Sequence, residues 1–231
     1  MNKTLCLLLG ALLFAAPFFG SVSPDNRSAP ADKITAAEIK TLYLTFDDGP
    51  TDSTTPKILD ILRDKNVRAT FFIIGRQIRG REEIVRRTFR EGHGIGIHSY
   101  THEYSAIYKS DDALLSDIRK CKRAIEEVLP GFSTMLYRFP GGSFLCPQYR
   151  QTVSDAGYHY VDWNASSDDA VLAKATPQEL FDRAVNSAQG KSKIILLMHD
   201  GVGRKATVQS LPAIIDHFSE KGYVFAVLND V

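Results

Sequence analysis

Asp47 and Asp48 stand side by side at the end of an apolar run that starts at Leu42, and Gly49-Pro50 follows them. Like charges this close resist joint ionisation unless a cation or hydrogen bonds compensate. Two histidines four residues apart, His98 and His102 in His-Ser-Tyr-Thr-His, complete a set of side chains suited to a divalent metal. That spacing predicts both imidazoles on one face of a helical turn, and three protein ligands leave coordination positions for water. Such an open set serves catalysis, whereas a fourth ligand closes structural sites. His93, His159 and His217 stand singly and read as structural or surface residues.

These groups need a scaffold that carries them to one place. Strand-like segments are expected at 41–45, 69–74, 94–98, 135–139, 159–163, 194–198 and 224–228. Helical patterns lie between them at 56–65, 82–91, 112–129, 147–156, 177–188 and 209–221. Ser110 before Asp111-Asp112 is an N-cap signal, and Glu91-Gly92, Pro130-Gly131 and Lys221-Gly222 are stop signals. About seven β/α units with short connections imply one α/β domain, a parallel sheet covered by helices and either closed as a barrel or open and doubly wound. In α/β barrels the active site gathers at the C-terminal ends of the strands. Those ends carry Asp47-Asp48, His98 to His102, Arg138-Phe139-Pro140-Gly141-Gly142, Asp162-Trp163 with Asp168-Asp169 behind, and His199-Asp200. Nearly every strand therefore delivers a polar or titratable group to one rim.

The 231 residues, 44% hydrophobic, suffice for one substantial core. With 28 basic and 27 acidic residues the net charge is +1, so there is no electrostatic case for a nucleic-acid partner. Residues 1–23 read as a signal peptide or N-terminal anchor: Lys3 precedes an apolar run from Leu5 to Phe19, followed by Gly20, Ser21 and Ser23. The run is short for a membrane span, which needs ~20 residues. Export is the expectation, to a secreted, periplasmic or envelope-associated location, with membrane contact only through this segment if it stays uncleaved. Residues 24–40 read as a linker and 41–231 as the folded domain. Only Cys121 and Cys146 remain after export, and two unpaired thiols are expected.

Thr-Phe-Asp-Asp-Gly-Pro, His-Ser-x-x-His, Arg-x-Pro and Leu-x-His, in that order, resemble the polysaccharide deacetylase family, the NodB-homology domain of carbohydrate esterase family 4. The resemblance covers about Leu42 to Val231. It implies a distorted (β/α) barrel of about seven parallel strands and an enzyme that removes acetyl groups from polysaccharides with a divalent metal. Zinc is the first expectation, with cobalt, manganese or nickel as others. By resemblance Asp48, His98 and His102 hold the metal, Asp47 is the base, Arg138 braces it, and His199 is the acid. A water activated by the cation attacks the acetyl carbonyl, Asp47 takes its proton, and His199 supplies one to the leaving amine. A backbone N–H near Gly141 is expected to steady the oxyanion. Leu197 is expected to line an acetyl-methyl pocket, and Pro140, Gly141, Gly142 and Trp163 the sugar groove. The exported location makes peptidoglycan, or another N-acetylglucosamine polymer, the expected partner.

The sequence departs from the family pattern after the fifth strand. Aligned on Ala156-Gly157-Tyr158, Asp169 takes the place of the aspartate that orients the catalytic histidine, Ser166 replaces an earlier aspartate, and Ala170 replaces a tryptophan. A shifted register would give that orienting role to Asp162. Gly141 stands where many relatives have tyrosine, which removes one groove-lining aromatic. An O-acetyl xylan or glycan esterase of the same family is the alternative chemistry, since an alkoxide leaves more readily than an amine. A catalytically silent glycan-binding protein is the alternative class, and a pure binder has no use for all six of Asp47, Asp48, His98, His102, Arg138 and His199.

Overall fold

The computed structural model describes residues 39–172 and 174–228. The expected signal peptide or anchor, and all but the last two residues of the expected linker, lie outside the described residues. Within them the order is β1 (Thr41–Gly49), α1 (Thr55–Asp64), β2 (Thr70–Ile74), α2 (Glu82–Arg90), β3 (Gly94–Ser99), α3 (Tyr104–Ile107), α4 (Asp111–Val128), β4 (Leu136–Tyr137), α5 (Arg150–Asp155), β5 (His159–Tyr160), β6 (Ala165–Ser166), α6 (Pro177–Ser187), β7 (Lys193–His199), α7 (Lys205–Glu220) and β8 (Val224–Ala226). Seven parallel strands form one path, β5-β4-β3-β2-β1-β7-β6. β8 adds to the first residues of β1, pairing Thr41 with Val224 and so occupying the edge that β2 takes from Thr45 onward. Among the described residues β5 and β6 do not pair with each other, so the sheet curls into a half-barrel instead of closing.

β1 is the hub. Its alternation sends Leu42, Leu44 and Phe46 into a core under α1, α6 and α7, while Thr45 and Asp47 point to the opposite face. The helices dock because their apolar residues recur on one stripe. α4 buries Leu114, Ile118, Cys121, Ile125 and Val128 against β3 and β4 and is capped by the Ser110 side chain, which accepts from the Ala113 N–H. Thr176 and Glu179 form a capping box at the start of α6.

Three expectations need correction. β5 ends at Tyr160, because Val161 still pairs with Tyr137 but Asp162 turns away to accept from Ser143. The two-residue β6, too short and polar for any periodic signal, follows instead. α7 begins at Lys205, four residues earlier than expected and with Pro212 inside it. Its first turns bury Thr207 and Ser210, polar residues that carry no hydrophobic signal.

Cys121 and Cys146 are free and buried, and burial pushes the Cys121 thiol up to about 12. No helix of the described residues is long and apolar enough to cross a membrane.

Candidate active site

In a regular strand neighbouring side chains point to opposite faces, so Asp47 and Asp48 should diverge. They do not, because the β1–β2 register slips between Asp47 and Gly49 and Asp48 sits at φ 79°. This bulge re-aims Asp48 toward the rim beside Asp47. It, more than the Gly49-Pro50 turn, presents the pair. Gln77 ties the bulge down by donating to the Asp48 carbonyl at 2.7 Å. Gly49 must lack a side chain, since a Cβ there would come within 2.0 Å of Asp200 Oδ2. Positive φ recurs at His102 (56°) and Asp168 (58°), both lining the same cavity. Backbone strain of this kind concentrates at functional sites.

Asp47 is buried and braced. Arg138, fully buried, donates through Nη1 to Asp47 Oδ1 at 2.9 Å and to Thr45 Oγ1 at 2.8 Å, and through Nε to the Val161 carbonyl at 3.1 Å. Burial pushes the Asp47 carboxyl above the ordinary carboxylate range, against the pull of Arg138. The guanidinium lies over the Phe72 ring, 4.1 Å from its centroid, and 5.8 Å from that of Trp163.

On the other side of the doublet, Asp48 Oδ1 lies 3.6 Å from His98 Nε2 and 3.3 Å from His102 Nε2. One ligand atom from each of the three residues lies within 4.8 Å of the others. His98 Nδ1 is 2.9 Å from the Arg138 carbonyl, which can only accept, so Nδ1 carries the proton and Nε2 turns a lone pair toward Asp48. Burial drives the His98 pKa down to about 3, which keeps the ring neutral. Asp48 Oδ1 is itself buried with no hydrogen-bond donor among the described residues. A carboxylate oxygen facing an imidazole lone pair without a proton between them is an arrangement a cation completes. These residues fit a divalent metal.

His98 and His102 do not share a helical turn. His98 is the next-to-last residue of β3, and His102 lies in the loop beyond it. Asp117 of α4 shapes that loop: its carboxylate accepts from Ser99 Oγ (2.6 Å), Tyr100 N–H (2.7 Å), Thr101 N–H (3.0 Å) and Thr101 Oγ1 (2.9 Å). Ser99 Oγ in turn accepts from the His102 N–H at 2.8 Å. Sequence reasoning missed Asp117. Its only signal was an acidic residue on the buried side of the helix that follows the histidine motif.

His199 ends β7. Its Nδ1 lies 2.7 Å from Asp169 Oδ1, while Asp169 Oδ2 accepts from the His199 N–H (2.9 Å) and Thr207 Oγ1 (2.7 Å). Arg204 donates to the Asp169 carbonyl at 2.7 Å. Burial opposes ionisation of both partners, but their mutual hydrogen bond and charge prevail, holding the imidazole above its ordinary pKa and the carboxyl below. Asp162 is elsewhere, accepting from Ser143 N–H at 2.8 Å and Ser143 Oγ at 2.5 Å, where it braces the turn after Gly142.

These groups share a cavity of about 370 Å³ lined by Asp47, Asp48, His98, His102 and His199, with Tyr104, Gly141, Trp163 and Leu197 among its walls. Pro140 and Gly142 are not among its lining residues; Pro140 is buried and its carbonyl accepts from the Tyr108 hydroxyl at 2.8 Å. A larger cleft, about 720 Å³, lies at the N-terminal ends of the strands around Arg63, Arg68 and Glu91. There His93 is buried and accepts the Ala69 N–H at 3.2 Å, a structural role.

Residues 35–161 match the family model described as Polysaccharide deacetylase. A peptidoglycan-N-acetylglucosamine deacetylase of Bacillus cereus is 34% identical over 193 residues, 83% of this chain and 88% of that protein. A chitooligosaccharide deacetylase of Sinorhizobium fredii is 30% identical over 199 residues, 81% of this chain and 89% of that protein. Among solved structures, a CE4 esterase of Streptococcus mutans superposes with a TM-score of 0.77 at 35% identity, covering 82% of this chain and 86% of that one. The matched span, the shared half-barrel and this degree of identity lead to one conclusion: the chain belongs to the polysaccharide deacetylase family, hydrolases of carbohydrate esterase family 4.

Proposed function

We propose that this chain hydrolyses acetyl groups from an N-acetylated glycan, peptidoglycan first, with a divalent metal, zinc first. One observation carries the reading. A ligand cluster, a carboxylate backed by a buried arginine, and a histidine backed by a buried aspartate all open into one cavity. A glycan binder needs none of the three. The names of the Bacillus cereus and Sinorhizobium fredii relatives support the substrate class. Peptidoglycan lies outside the cytoplasmic membrane, in keeping with the expected export segment.

Asp48, His98 and His102 would hold the cation, which when bound supplies Lewis acidity, polarising a carbonyl and lowering the pKa of water. The chain's own groups do the rest. Asp47 takes the proton of the attacking water, and burial places its pKa closer to the working pH than an exposed carboxylate's, which suits a base. Arg138 fixes its orientation and leaves Oδ2 free of the guanidinium. The Gly141 N–H has no partner among the described residues and serves as donor to the tetrahedral oxyanion. Asp169 commits the His199 Nδ1–H, so Nε2 hands its proton to the amine, which leaves poorly as an anion. Leu197 walls the space for the acetyl methyl.

The test is mass spectrometry of a glycan panel after incubation with zinc-loaded protein: peptidoglycan, chitooligosaccharides and O-acetylated xylan. The reading expects loss of acetyl from the N-acetylated members. Loss from xylan alone would replace it with the esterase reading, and loss from none would overturn it.

A further inference from the structure

The cavity around Asp48, His98 and His102, at about 370 Å³, is near the small end of ligand pockets. It has room for a reacting unit but not for a chain, so a polymer must continue over the surface beside it. On one side that surface is apolar. Gly141 leaves bare backbone in the cavity wall and Gly142 follows it just outside, and side chains from other positions cover both. A Cβ on Gly141, at φ 77°, would meet Leu145 Cδ1 at 2.8 Å and the Tyr104 hydroxyl at 2.9 Å. A Cβ on Gly142 would meet the Phe144 ring at 2.3 Å. Phe144 in turn packs edge-on against Trp163, ring centroids 5.5 Å apart, and the Tyr104 ring lies 5.5 Å from that of His102. Tyr104, Leu145, Phe144 and Trp163 thus run as one strip from the ligand cluster outward.

The strip is exposed where folding would bury it. Tyr104 is 46% accessible, Phe144 55% and Leu145 63%. A contiguous apolar patch rimmed by polar groups marks a binding surface, and this one is continuous with the reacting cavity. The Tyr104 hydroxyl has no hydrogen-bond partner among the described residues, so it is free to donate to a ligand laid along the strip. The C–H faces of pyranose rings are apolar and pack flat on such groups, while hydroxyls and acetamido carbonyls at the ring edges accept hydrogen bonds.

We propose that Tyr104, Leu145 and Phe144, together with Trp163, form a platform for the sugar units that flank the reacting one, making the site selective for chains over short fragments. The proposal rests on the deacetylase reading for the identity of its substrate. It assigns to residues from the loop after His102 and the turn after Gly142 the aromatic surface that Gly141 and Ala170 lack.

Calorimetry with zinc-loaded Asp47→Asn protein measures binding without turnover, and acetate release by otherwise unmodified enzyme measures kcat/KM. Both use the disaccharide and the pentasaccharide of β-1,4-linked N-acetylglucosamine. The pentasaccharide should bind at least about tenfold more tightly than the disaccharide, the equivalent of burying roughly half an aromatic side chain. Phe144→Ala, Leu145→Ser and Tyr104→Ala should each shrink that ratio, acting through KM more than kcat. Tyr104→Phe should recover the stacking share of the loss. Phe89→Ala, an exposed aromatic on α2, should leave the ratio where it was. A ratio near one in the parent, or one that none of the strip variants changes, overturns the platform even if acetate is released. Binding that depends on Phe144, with no acetate released from any glycan, would uphold the platform and overturn the deacetylase reading.

Discussion

Asp47 and Asp48 are neighbours with separate partners, and the separation is measurable. Asp47 faces Arg138, whereas Asp48 faces His98 and His102. If Asp47 is the proposed base, Asp47→Asn should still bind zinc, read by elemental analysis of the purified protein after zinc loading, while kcat falls roughly a hundredfold to ten-thousandfold, the share of a proton-transfer residue. The second prediction concerns pH. On the proposed mechanism His199 must be protonated to act as an acid, and Asp169 holds its pKa above the ordinary 6.5 despite the opposing effect of burial. The proton is present below the raised pKa and lost as pH climbs through it, so the alkaline limb of kcat should lie above pH 6.5. Asp169→Asn removes the raising partner and should move that limb downward as well as lowering kcat; a limb that stays in place would detach Asp169 from His199. The residue types of this site were legible, because carboxylates and histidines at strand ends have few structural uses. Their poses were not. Asp48 reaches the rim through a register slip and a positive φ, and neither leaves a trace in a string of residue types.

Among elements, the loop after β3 is irregular yet tightly held. Four hydrogen bonds to the Asp117 carboxylate fold residues 99–101 so that His102 turns back toward His98. Partners that orient metal ligands are typically worth about 10–100-fold in metal affinity. Asp117→Asn keeps the size but removes the charge and half of the acceptor capacity. It should weaken zinc binding by about that factor in a competition assay with a chromophoric chelator, while circular dichroism stays unchanged. Undiminished affinity would leave Asp117 a purely structural residue. The sequence pointed to a helical turn here because a spacing of four has helical meaning; a side chain from α4, fifteen residues beyond His102, decides the loop instead. The early start of α7 has the same origin. Thr207 is in its first turn to reach Asp169, and the helix takes Pro212 in its stride because Leu211, Ile214, Ile215 and Phe218 remain buried around it.

For the whole molecule β1 matters most, since it pairs with β2, β7 and β8 and ends in the two carboxylates. Phe46 is fully buried there and stacks on Phe71 with centroids 5.2 Å apart. Phe46→Ala should cost about 3–5 kcal/mol in denaturant unfolding, with activity lost by unfolding and not by a change in KM. The alternation of strand and helix patterns made the parallel sheet readable from the sequence. Whether the sheet closes depends on pairing between its edge strands, each two residues long, and no local pattern encodes that. The central claim is that one metal, held at Asp48, His98 and His102, drives deacetylation of an exported N-acetylated glycan. Its most direct test is a titration of metal-free protein with zinc while acetate release from peptidoglycan is followed. The account predicts no acetate without metal, activity that saturates at one zinc per chain, and neither binding nor activity in His102→Ala. Acetate released at full rate in the presence of chelator, or none at any zinc concentration, would contradict it.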